Sequence, residues 1–208
     1  MQKKKRRRGK NGIKQVSQFS YNYREFLTLF PCCRESHQLN LLDQLWKAEK
    51  PKFLLGKEVP ENFNTITYGQ LDDLSRSKDC EDPVARCLEV IMGFSTTQIL
   101  SLDVWDVFGF ASFCLKELDR INKLFNSIKQ NHTAEELAAG IEDLSFGTFG
   151  VVDWYARRMG ITNQDEVYSI AWIRIYTCMK NDNLQNQYER RLREQYIKTQ
   201  KMKGGKRR

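Results

Sequence analysis

The chain has 208 residues, of which 40% are apolar, 29% charged and 12% aromatic; this balance excludes an intrinsically disordered chain and leaves length for one sizeable core. Its net charge of +8 is unevenly placed: residues 1–14 hold eight basic residues and no acid, and residues 190–208 hold nine basic residues and one acid, Glu194. The stretch 15–189 then carries 17 basic and 25 acidic residues, a charge of −8, so a broadly basic folded surface is excluded and an acidic body carries two basic ends.

Residues 1–20 read as a basic flexible arm built on Lys3, Lys4, Lys5, Arg6, Arg7 and Arg8. Like charges repel along it, and nothing apolar is at hand to bury. Such an arm can bind polyanions by counterion release, dock on an acidic protein surface, or only add solubility. The residues leave these three roles open. No secretory signal is expected, because "NGIKQVSQFSYNYREF" is polar where an apolar region would be needed.

Residues 21–183 are expected to form a single, mainly α, helical-bundle domain. "YNYREFLTLF" is aromatic and partly alternating, and its type is ambiguous before Pro31. "LNLLDQLWKAEK" places Leu41, Leu42, Leu45 and Trp46 at helical spacing and ends at Pro51. The run 51–65 reads as a loop. Thr67 is a predicted N-cap for a short helix that buries Leu71 and Leu74. Asp82 and Pro83 start a second helix, which Gly93 should close in the left-handed region.

The longest predicted helix begins after Asp103, with an apolar stripe of Val104, Val107, Phe108, Ala111, Leu115, Leu118, Ile121, Phe125 and Ile128. Gly109 interrupts it at a cost of about 1 kcal/mol against alanine; either close packing or chance accounts for it. Thr133 and Glu136 form a predicted capping box. Gly147 and Gly150 suggest a turn before a helix over 151–159, closed by Gly160. Thr162 then reads as the cap of a helix with Asp165 and Glu166 in its first turn. "VYSIAWIRIYTCMK" is apolar on nearly all sides and reads as the central buried helix, with a strand as the alternative. The last segment, 184–208, reads as a charged helix and basic tail. Leu184, Tyr188, Leu192 and Tyr196 recur every fourth residue, an apolar face too sparse to fold without a partner.

The chemistry-bearing residues are few. His37 and His132 are the two histidines, and no nucleophile elbow, phosphate loop, dinucleotide fingerprint or zinc-protease motif occurs. Cys32, Cys33 and His37 lie close together, but adjacent cysteines point apart and no second pair of metal ligands matches them. All six cysteines, including Cys80, Cys87, Cys114 and Cys178, read as reduced thiols. Carboxylate pairs at Asp72/Asp73, Glu81/Asp82, Glu135/Glu136 and Asp165/Glu166 fall mostly at helix starts, where the dipole explains them. No enzyme activity, cofactor, metal, membrane span or small-molecule ligand is expected. "VVDWYARRMGITNQDEVYSIAW" has the outline of a helix-turn-helix, but its second helix would meet DNA with Asp165 and Glu166. Arg157 and Arg158 are the favourable charges nearby, and a structural corner is the better reading.

Ile66, Thr67, Gly69 and Gln70, then Ala139, Gly140, Ile141 and Leu144, then Val167 before a late helix, occur in that order. Over roughly 62–193 this arrangement resembles small helical proteins of tailed bacteriophages, including tail assembly chaperones. The resemblance implies a non-enzymatic morphogenesis or virion protein, found in the virion or host cytoplasm. It would act through contacts with phage structural proteins or with itself. The two basic ends depart from the shared pattern and suit a protein close to packaged DNA. The aromatic 19–30 stretch and the face of Leu184, Tyr188, Leu192 and Tyr196 are the expected partner surfaces. The alternative function is nonspecific binding of packaged or host DNA. Lys3 to Arg8 together with Lys201, Lys203, Lys206, Arg207 and Arg208 would then grip phosphates.

Overall fold

The computed structural model describes residues 21–128, 132–143 and 146–205. The chain is mainly α. Its helices run in the order α1 (Tyr23–Leu29), α2 (Glu35–Leu45), α3 (Tyr68–Ser75), α4 (Pro83–Met92), α5 (Thr96–Leu100), α6 (Val104–Asn126), α7 (Ala134–Ala138), α8 (Gly147–Met159) and α9 (Trp172–Gly205).

Local chemistry starts most of these elements. Asn22, Thr67, Ser95 and Thr133 each accept the third backbone N–H of the following helix, and the side chains of Glu25, Gln70, Gln98 and Glu136 reach back to complete a capping box. Asp82 caps α4 ahead of Pro83, and Gly93 closes it at φ 64°. The capping box at Asn22 resolves the ambiguous aromatic stretch as helix.

The core is organised around α6, which touches α1, α2, α3 and α4. Val107, Phe110, Cys114 and Ile121 are fully enclosed along it. Leu115, expected on the buried stripe, is 50% exposed, because it lies on the flank of that stripe. Gly109 faces the backbone of the segment after α2, where a Cβ would run into the Glu49 carbonyl oxygen. The glycine therefore permits a close approach. Ser112 on the same helix donates to the Trp46 carbonyl at 3.2 Å.

Several expectations need correction. The 51–65 loop contains a two-stranded hairpin, β1 (Phe53–Leu54) and β2 (Lys57–Glu58). Leu55 and Gly56 both take positive φ at its turn, as a two-residue hairpin demands. α8 begins at Gly147, so the glycines lie inside its first turn and not before it. Thr162 does not start a helix: Asn163 caps a 3-10 turn, Gln164–Ser169, and α9 starts at Trp172. α9 is not the central helix. Trp172, Ile175 and Tyr176 are buried, while Arg174 and Thr177 face out.

Two short bridges join helix starts that are distant in sequence. The Tyr23 N–H donates to the Leu102 carbonyl at 2.8 Å and the Val104 N–H to the Tyr21 carbonyl at 2.9 Å, tying α1 to α6. In the same way the Tyr68 N–H donates to Ile170 at 2.7 Å and the Trp172 N–H to Ile66 at 3.2 Å, tying α3 to α9. Each bridge satisfies N–H groups that a helix start leaves without an internal partner.

Candidate functional site

α9 is seated on the body by its first turns. The Trp172 indole N–H donates to the Phe63 carbonyl at 2.5 Å. The Phe63 N–H in turn donates to Glu117 at 2.8 Å, and Arg120 holds that carboxylate at 2.7 Å. The Phe63 peptide is thus fixed on both sides, and the root of α9 with it. Farther along, Arg158 of α8 makes two hydrogen bonds of 2.9 Å to Asp182. Arg190 then donates to the Glu136 carboxylate of α7 at 2.8 and 3.1 Å. The Thr133 N–H and Arg190 together hold the Glu136 carboxyl below its usual range.

Beyond Arg190 the helix leaves the body. Every residue from Arg191 to Met202 is exposed. The predicted face is exposed along its whole length: Leu184 is 53%, Tyr188 57%, Leu192 43% and Tyr196 65% accessible. From Leu184 to Gly205 the helix is about 33 Å long at 1.5 Å per residue. Residues 190–205 hold six basic residues and one acid, so the distal half of the helix carries apolar and basic side chains together.

A groove of about 610 Å³ lies between α7, α8 and the middle of α9, lined among others by His132, Glu136, Phe146, Trp154, Asp182 and Arg190. Its charged groups pair with one another across the groove. At its α8 end Phe146 and Phe149 stand 72% and 59% exposed. Part of this surface, around Gly147 and Gly150, is the stretch that the glycines suggest to be a turn. Residues 133–150 hold four acids and no basic residue, with Leu137, Phe146 and Phe149 between them.

No family model, curated protein or solved structure significantly matches this chain.

Of the predicted phosphate grips, Lys201 is exposed on α9 and Lys203 lies on the same helix. Lys3 to Arg8, Lys206, Arg207 and Arg208 lie outside the described residues. The aromatic 19–30 stretch is divided: Tyr21, Leu27 and Leu29 are exposed, whereas Tyr23 is buried, stacks near Phe26 and donates to Asp82 at 3.0 Å. Burial and the Asp82 charge push that phenol up. It is a core anchor and not a free partner surface. The helix-turn-helix outline lacks its second α-helix, and both arginines are paired, Arg157 with Asp153 and Arg158 with Asp182.

Cys32 and Cys33 are exposed and donate to different carbonyls, Thr28 and Leu29. No group of three or more His, Cys, Asp and Glu able to hold a metal occurs among the described residues. Cys87 and Cys114 are buried between α4 and α6, and burial pushes the Cys114 thiol up. No helix among the described residues is long and apolar enough to cross a membrane.

Proposed function

We propose that this chain is a non-enzymatic assembly protein of a tailed bacteriophage, working by contact with phage structural proteins or with itself. One observation carries the reading: a helix rooted firmly in the core runs on for about 22 Å past Arg190, its last contact with the body, and presents Leu184, Tyr188, Leu192 and Tyr196 to solvent. A helix with so thin an apolar face is marginal alone. Held by the body, it is a preorganised docking element, and preorganisation lowers the entropic cost of association. The phage assignment draws on the resemblance over 62–193.

The runner-up is nonspecific DNA binding. What favours it is the set of exposed basic side chains Arg191, Arg193, Lys198 and Lys201, close in sequence to the basic end 206–208. Photo-crosslinking separates the two. A benzoylphenylalanine placed at Tyr196 in the producing cell should couple to protein, identified by mass spectrometry as a virion component or another copy of the chain. Coupling to nucleic acid alone overturns the assembly reading and promotes the alternative.

A further inference from the structure

We propose that a second copy of this chain is the partner of α9, its acidic α7–α8 segment seating on the distal basic half of the helix. This rests on the assembly reading and names its partner.

The two surfaces are opposite in charge and alike in apolar character. Residues 190–205 hold six basic residues and one acid, with Leu192, Tyr196, Ile197 and Met202 exposed. Residues 133–150 hold four acids and no basic residue, with Leu137, Phe146 and Phe149 exposed. Their match is already realised once within the chain, where Arg190 of α9 holds Glu136 of α7 at 2.8 Å. The contact between copies continues that pairing along the helix, using Arg191 and Lys198, which share one side two turns apart, against Glu135 and Asp143.

Geometry directs the contact to another molecule. α9 is unbroken from Trp172 to Gly205, so its far end cannot fold back onto its own α7–α8 segment. Charge disfavours the obvious rival in its parallel form, two α9 helices side by side, because their distal halves carry the same strong positive charge and repel. An acidic body and basic ends on one chain make a surface and its complement available at equal concentration. A contact between two different patches closes into a pair only if it is reciprocal; otherwise it continues into an open chain of copies.

Sedimentation of the full chain at about 50 mM and about 500 mM salt tests this. The expected result is self-association at low salt that weakens at least tenfold at high salt. Leu192→Asp with Tyr196→Asp should abolish it, and so should Phe146→Asp with Phe149→Asp, with helix content unchanged by circular dichroism. Arg191→Glu with Lys198→Glu should abolish it too. Adding Glu135→Lys and Asp143→Lys to that variant should restore it, a rescue that damage to folding cannot mimic. A chain that stays monomeric at low salt overturns the proposal, as does association that survives both apolar variants. If the chain is monomeric while Tyr196 crosslinks to another virion protein, self-docking falls and the assembly reading stands. Crosslinks to nucleic acid alone remove both.

Discussion

Gly109 shows how a single residue can reverse the sign of a general rule. In an exposed helix interior, alanine would be better than glycine by about 1 kcal/mol. Here the position faces the Glu49 carbonyl, and a Cβ has no room. Both sides of the contact are backbone, so relief requires moving a helix or the segment after α2. Overpacking of this kind costs about 1–3 kcal/mol. Gly109→Ala should therefore lower the midpoint of thermal unfolding; an unchanged or raised midpoint would mean that the 46–51 segment yields. The sequence offered close packing and chance as equal explanations, because the partner of a glycine sixty residues away leaves no local mark.

At the scale of elements, what was legible is what local chemistry decides. Thr67, Asp82 and Thr133 are caps in the structure because an N-cap needs only its own next three residues. The start of α9 was not legible. Thr162 is a good cap by type, yet Ile170 is held extended and Ala171 bridges to Thr67, so no helix can run through. That constraint comes from a partner about a hundred positions back. The exposed apolar residues were legible in part: the four-residue spacing marks Leu184 to Tyr196, whereas Phe146 and Phe149 are hidden in a stretch whose glycines suggest a turn.

The junction beneath α9 also makes a pH prediction. Arg120, the Phe63 N–H and Lys50 hold the Glu117 carboxyl below its usual range. A depressed folded pKa means stability that is complete above the unfolded value, near 4.3. That stability is lost as pH falls through the lower, folded one. Glu117→Gln should lower the unfolding midpoint at neutral pH, and the gap to the parent chain should close as pH falls below about 4. A gap that stays constant across this range would show that the carboxylate charge contributes nothing.

For the whole molecule, the charge layout decides which macromolecule wins. A phosphate grip through the basic ends predicts duplex-DNA affinity falling linearly in log salt, with a slope of about −0.9 per phosphate neutralised. The assembly reading predicts no measurable duplex binding at physiological salt, since the acidic body opposes it. A fluorescence titration across a salt series reads the difference directly, and a steep slope with tight binding would favour the alternative.

The root of α9 has a consequence for when the protein becomes competent. Trp172, Ile175 and Tyr176 complete the core, and they belong to the last of the described helices. The interior of a growing chain therefore stays unfinished until residues 172–176 have been made, and the sparse outer helix has nothing to nucleate on before then. Only a molecule whose fold is closed extends a rigid spar. Display of the outer helix thus doubles as a certificate of completion, since a chain without a closed core has nothing to hold it out.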